Sequence, residues 1–181
     1  LHRARKALAA RGVLEIVLLG QTVNAYGRHD LRRGRTEPSG TTSFAALIRR
    51  LAAIPALRRI RYTSPHPAHM TEDVVRAHAA LGSVCEHIHL PLQSGSTPVL
   101  KRMRRTYSRE RFLDRVTLIR EHVPDCSITT DVIVGFPGET AEDFERLQEF
   151  VRAAEFDNVG VFTFSDEEGT TSFDLPKRVP A

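Results

Sequence analysis

TTDVIVGFPGET, residues 129–140, decides the fold. The apolar run Val132–Val134 leads into Gly135-Phe136-Pro137-Gly138. A helix start follows at Thr140, with acids at Glu142 and Asp143. Strand, glycine turn and capped helix together read as a βα-loop. In parallel α/β folds such loops lie at the C-terminal ends of the strands, where ligands bind. Glycine there lets a ligand approach the main chain closely, and it serves simple turn geometry equally well.

Outward from this stretch the chain alternates strand and helix. Strands are expected at 13–19, 57–63, 84–90, 127–134 and 158–164. Helices are expected at 43–54, 71–81, 98–104, 108–122 and 140–154. Phe44, Leu47, Ile48 and Leu51 share one helical face; Phe112, Val116 and Ile119 share another; Phe144, Leu147, Val151 and Ala154 a third. Two prolines in Ser64-Pro65-His66-Pro67 exclude helix there. Thr71 caps a helix, with Glu72 and Asp73 favourably placed against its dipole. The alternation predicts a parallel sheet with right-handed crossovers and outer helices. The loops after the strands gather at one end, and His87 and His89 share one face of their strand.

The 181 residues suit one domain or most of a larger one, and 41% hydrophobic with 27% charged content is globular. No apolar run approaches the roughly 20 residues that span a bilayer. Residues 1–12, LHRARKALAARG, read as an amphipathic helix without the apolar stretch of a secretory signal. The net charge is +4, and only Lys6, Lys101 and Lys177 among the 26 basic residues are lysines. Genomic codon bias explains that total as well as phosphate binding does. The arginine clusters at 32–35, 58–61 and 101–105 fit an RNA-binding protein. Cys85 and Cys126, 41 residues apart, make neither a metal motif nor a disulfide framework, and read as core cysteines of a cytoplasmic protein. No nucleophile elbow, phosphate-binding lysine loop or dinucleotide fingerprint occurs. The chemistry therefore points to a cofactor oriented by the protein.

LLGQTVNAYG (18–27), RIRYTSPHP (59–67), HIHLPLQSGS (87–96), MRRTYSRE (103–110) and TTDVIVGFPGET (129–140) resemble the methylthiotransferases of the radical S-adenosylmethionine superfamily. The resemblance spans nearly the whole chain and is strongest to the tRNA-modifying branch. That branch adds a methylthio group to carbon 2 of an isopentenylated adenosine beside the anticodon. The resemblance implies a partial parallel (β/α)6 TIM-like barrel with its first strand missing. It implies S-adenosylmethionine and two [4Fe–4S] clusters as cofactors, tRNA as partner, and an electron donor such as a flavodoxin or ferredoxin. It places the radical-cluster motif C-x3-C-x2-C upstream of residue 1, and Cys85 and Cys126 do not replace it. Residues 1–165 then form the core, and 166–181 connect to a further RNA-binding domain of the TRAM type.

By the same resemblance Gly20, Gln21 and Asn24 lie by the methionyl amino group. Gln93 and Ser94 reach the ribose, Arg105 pairs with the carboxylate, and Gly135 and Phe136 pack on the adenine. Ser64 and His66 face the substrate. No catalytic residue and no metal ligand is assigned. The stretch 159–180, VGVFTFSDEEGTTSFDLPKRVP, instead resembles the sibling branch that methylthiolates an aspartate of a ribosomal protein. The loops SPHP and LPLQSGS favour tRNA. An alternative of another class is a non-catalytic α/β module that binds RNA through its arginines.

Overall fold

The computed structural model describes Ala7, residues 11–28 and residues 43–179. Most of the N-terminal amphipathic stretch and the arginine cluster at 32–35 lie outside the described residues. Five strands run β1 (Glu15–Leu18), β2 (Arg59–Tyr62), β3 (His87–His89), β4 (Ser127–Val134) and β5 (Asn158–Thr163). Between them stand α1 (Phe44–Ala52), α2 (Glu72–Ala80), α3 (Thr97–Arg102), α4 (Arg109–His122) and α5 (Ala141–Ala154). Every strand pairing is parallel, in the order β1–β2 and β3–β4–β5. The two sheets join at a parallel bridge from Ile60 to Val84, where Ile60 N donates to Ser83 O and Cys85 N donates to Ile60 O. The result is one curved run of five strands in chain order.

Strand alternation sorts the side chains onto two faces. Ile60, Tyr62, Ile88, Ile128, Thr130 and Val132 point outward and are buried under the helices. Phe44, Leu47, Ile48 and Leu51 of α1 and Phe112, Val116 and Ile119 of α4 meet them as their spacing predicts. On α5 the stripe differs. Leu147, Phe150 and Ala154 are buried, whereas Phe144 is 41% exposed. The buried stripe therefore turns by part of a helical turn from the one read in the sequence, because Phe150 packs edge-on against Phe112, 6.0 Å between ring centroids.

Helix starts follow their caps. The hydroxyls of Ser43, Thr71, Ser108 and Thr140 accept from the main-chain N–H of Ala46, Val74, Arg111 and Asp143. Each such cap contributes about 1 kcal/mol. Thr140 and Asp143 form a reciprocal capping box. Arg120 of α4 donates to the carbonyls of Ala154 and Glu155 and so satisfies the C-terminal end of α5.

Candidate functional site

The loops at the C-terminal strand ends converge on a pocket of about 300 Å³. Gln93, Arg105 and Phe136, all singled out in the sequence, line it together with Arg102, Ile133 and Phe164. Its far wall is Thr171, Ser172 and Leu175 of the tail. The tail is brought there by a hydrogen bond from Gly138 N to Lys177 O, 2.7 Å. A polar, irregular segment gave no sequence signal of this return.

Each wall has a local cause. After β3 the chain continues beside β4: Leu92 N donates to Thr130 Oγ1, Gln93 N to Asp131 O, and Ile133 N to Gln93 O. Gln93 then turns at φ 72°, a left-handed conformation rare outside glycine, which aims its side chain at the pocket. Gly95 follows because α5 passes directly over it. A Cβ there would sit 2.5 Å from Leu147 Cα. Gly135 turns the chain at φ 77°, and its N–H donates to Glu139 Oε2 at 2.6 Å. Burial raises the Glu139 carboxyl, against the hydrogen bonds from the turn amides. Phe136 is buried, edge-on to Phe164 at 5.2 Å.

Asp143 ties the two loops together. It accepts from Ser96 Oγ at 2.5 Å and from Thr140 N at 3.2 Å, with Arg102 and Arg146 each 3.7 Å away. Burial pushes its carboxyl up, but the Ser96 and Thr140 hydrogen bonds and Arg102 hold it below its ordinary value.

Arg105 is half-buried, and its Nε is buried with no hydrogen-bond partner. It is the pocket's one orphaned buried donor, a demand for an anionic or carbonyl acceptor. Tyr107 next to it donates to the carbonyls of Pro91 and Leu92, 3.1 Å each, and burial pushes its hydroxyl up to about 12 against Arg105. His66 lies edge-on to Tyr107 at 5.4 Å and tilted against His69 at 5.2 Å. Burial, with His69 and Arg105, lowers its pKa and keeps the ring neutral.

The other residues singled out in the sequence are placed differently. Ser94 is fully buried, its Oγ accepting from Ser96 N. Asn24 is buried, and its amide makes two hydrogen bonds with the His66 main chain at 3.0 and 2.8 Å, fixing the SPHP loop. Ser64 is exposed at φ 53°. Gly20 and Gln21 are exposed at the end of β1, and Gly20 borders a separate apolar hollow lined by Leu19, Val23 and Leu47. Cys126 is buried, with its thiol pushed up to about 11 by burial, and Cys85 is half-buried.

The inner face of the sheet is polar, and sequence reading passed over most of it. Glu15 pairs with Arg59 and Arg61 across β1 and β2. On β3 and β4, His87 Nε2 lies 3.2 Å from Thr129 Oγ1, which lies 2.9 Å from His89 Nδ1. His89 Nε2 lies 3.0 Å from Asp131 Oδ2. Burial, Arg61 and His89 all lower the His87 pKa. The alternation His87-x-His89 beside Thr129-x-Asp131 was the signal available.

Two of these features fit S-adenosylmethionine: the Arg105 donor suits a carboxylate, and the Phe136 wall suits an adenine. The chain's two cysteines do not fit an iron–sulfur cluster, which takes three or four thiolates.

Over 97% of its length the chain is 48% identical to a tRNA-2-methylthio-N(6)-dimethylallyladenosine synthase of Mycobacteroides abscessus and 45% identical to one of Moorella thermoacetica, covering 34% and 38% of them. It thus spans about a third of the length of these curated relatives. Among solved structures, coproporphyrinogen III oxidase of Escherichia coli, a radical SAM enzyme, matches 95% of this chain and 40% of its own at TM-score 0.61 and 17% identity. The Elp3 of Methanocaldococcus infernus matches 93% of this chain and 42% of its own at TM-score 0.56 and 18% identity. These two likenesses are of fold. The family model described as the radical SAM superfamily matches residues 1–151, and the chain belongs to that superfamily.

Proposed function

We propose that this chain is the S-adenosylmethionine-handling part of a methylthiotransferase that places a methylthio group on carbon 2 of N6-dimethylallyladenosine in tRNA. The observation that carries the reading is identity of 44–48% across nearly the whole chain to enzymes bearing that name. The match runs over 97% of the chain.

S-adenosylmethionine, when bound, supplies the radical chemistry of this superfamily. Gln93, Arg105, Gly135 and Phe136 hold it in the pocket at the strand ends. Arg105 gives its carboxylate a charged donor, worth more than a neutral hydrogen bond. Gln93 offers an amide to the ribose, and Phe136 with Phe164 gives the adenine an apolar wall that excludes water. Asn24 and Ser94 act on the loops: Asn24 holds the SPHP backbone, and Ser94 shapes the turn that carries Gln93. Gly20 and Gln21, at the end of β1, stay assigned to the methionyl amino group, and Ser64 and His66 to the substrate. Ligands for two [4Fe–4S] clusters, and the contact with a flavodoxin- or ferredoxin-like electron donor, come from residues other than these. The setting is the cytoplasm, where tRNA is modified; no helix among the described residues is long and apolar enough to cross a membrane.

The test is a chimera in which this chain replaces the matching third of the Mycobacteroides abscessus relative, expressed in a strain lacking the modification. Mass spectrometry of digested tRNA should show the 2-methylthio nucleoside return. A methylthiolated aspartate in a ribosomal protein, with tRNA unchanged, would overturn the assignment.

A further inference from the structure

Directly below the pocket the inner face of the sheet carries a niche, and its parts are cut to one another. Asp131 of β4 pairs in register with Gly160 of β5, and Ile133 with Phe162. A Cβ on Gly160 would lie 2.4 Å from Asp131 Oδ1 and 3.2 Å from the Phe162 ring. The glycine therefore vacates the space into which both side chains lean. The carboxylate and the aromatic ring stand side by side over it. Phe162 is 56% exposed, so its ring face is open to the inside of the curved sheet.

The carboxylate is oriented from one side only. His89 Nε2 lies 3.0 Å from Oδ2. With an N–H on Nε2, His89 donates to the carboxylate. His89 Nδ1 is then an acceptor and takes the Thr129 hydroxyl proton at 2.9 Å. Thr129 Oγ1 in turn accepts from His87 Nε2 at 3.2 Å. The series runs in one direction and ends on Oδ2, which leaves Oδ1 pointing over Gly160 as an acceptor without a donor among these groups. An oriented acceptor beside an open aromatic face is the pattern that holds a flat heterocycle bearing an N–H.

Position says which heterocycle. Ile133 and Phe164 of the pocket are the next inward residues after Asp131 and Phe162 on the same two strands. Two residues of parallel strand rise about 6.6 Å. A group in the niche therefore lies about one such step from whatever fills the pocket above.

We propose that Asp131 and Phe162 hold the target nucleobase, with Asp131 Oδ1 accepting the hydrogen bond of the one N–H left on its alkylated exocyclic nitrogen. This rests on the tRNA reading above and names the residues that would select its substrate. Phe162 supplies the stacking face, and His89 is a positioning residue that keeps Oδ1 turned toward the base. A base alkylated twice on that nitrogen has no proton to give and leaves the carboxylate unpaired. Such a loss discriminates more sharply than a missing methyl in an apolar pocket.

The experiment titrates the isotope-labelled 181-residue chain with the nucleoside N6-dimethylallyladenosine and follows main-chain amide signals by NMR. Shifts should centre on residues 89, 131, 160 and 162, with millimolar affinity. N6-methyl-N6-dimethylallyladenosine should bind at least about tenfold more weakly, as should the normal nucleoside to Asp131→Ala. His89→Leu should weaken binding, and His89→Gln, whose amide N–H can replace Nε2–H, should restore much of it. Phe162→Leu controls for folding, since the residue is exposed, and should lose stacking while the remaining spectrum is unchanged. Shifts centred elsewhere, equal binding of the two nucleosides, or no shifts at millimolar nucleoside would each overturn the niche as the base site. The chimera assay is independent of these outcomes. Return of the tRNA product with a silent niche would sink this inference alone, whereas failure of the chimera would sink the tRNA reading.

Discussion

Asp143→Ala should cost the fold about 3 kcal/mol, and the structure says where the loss arises. The Asp143 carboxylate is nearly buried and accepts both the Ser96 hydroxyl and the Thr140 main-chain N–H. Ser96 is itself 1% exposed, so its hydroxyl would be left without a partner and without water. That orphaning costs about 1–3 kcal/mol. Breaking the reciprocal cap at the start of α5 adds about 1 kcal/mol. Urea unfolding followed by far-UV circular dichroism reads the sum directly. With a slope of about 1–3 kcal/mol per molar, the midpoint should fall by roughly 1–3 M. The acid dependence is a second check. The folded pKa of Asp143 is held below its ordinary value, so its contribution is present above the unfolded carboxylate value and is lost as pH falls through the folded one. The gap between the natural chain and Asp143→Asn should therefore narrow in acid. A midpoint within about 0.2 M of the natural chain at neutral pH would refute the claim that Asp143 joins the two site loops.

Two further outcomes follow from the packing. Gly95→Ala forces a methyl against the Leu147 main chain at 2.5 Å and should lower stability by at least about 1–3 kcal/mol, read as a lower melting temperature with α5 displaced. His78 is buried against the Tyr62 hydroxyl, 3.0 Å away, and burial pulls its pKa down to about 4. The folded chain thus keeps it neutral while the unfolded chain protonates it near its ordinary value, so stability should fall as pH drops from about 6.5 toward 4, and His78→Leu should flatten that slope in pH-dependent unfolding.

The fold was legible because three signals agreed. Strand-length apolar runs, hydroxyl caps before four of the helices and glycine or proline turns after strands all indicate βα units, and the five described strands lie where those runs stand. Boundaries moved by one to three residues, most at β3, which shrinks from 84–90 to His87–His89 and leaves Val84 as an isolated bridge to Ile60. The α5 stripe was misplaced because Phe144 and Phe150 fit a helical period equally well, and only the partner ring of Phe112 chooses between them. In the site, Gln93 and Phe136 each follow a strand, a position sequence can name, whereas Arg105 comes from the turn after α3. Asn24 and Ser94 show the limit of that reasoning. A polar residue in a site loop can be spent on the loop itself, and only hydrogen-bond partners tell which.

The polar inner face explains a further gap. Periodicity analysis looks for apolar faces, and on β3 and β4 the apolar face is the outer one, Ile88, Ile128 and Val132. Of the alternate residues the sequence singled out only His87 and His89, as sharing one face of their strand. Yet a curved parallel sheet has no ordinary solvated side, since its inner face encloses the space beneath the strand-end loops. Charged and hydrogen-bonding residues there carry a desolvation cost that a closed apolar core would avoid. Here the cost is offset by mutual pairing, Glu15 with Arg59 and Arg61, and His87 through Thr129 and His89 to Asp131. Such pairing fixes side-chain direction, and it leaves Asp131 Oδ1 and the Phe162 ring facing the same empty volume. A sheet built only for stability would fill that volume with interdigitated aliphatic layers. Here Asp131 and the exposed Phe162 line it instead, the two residues proposed above to hold the base.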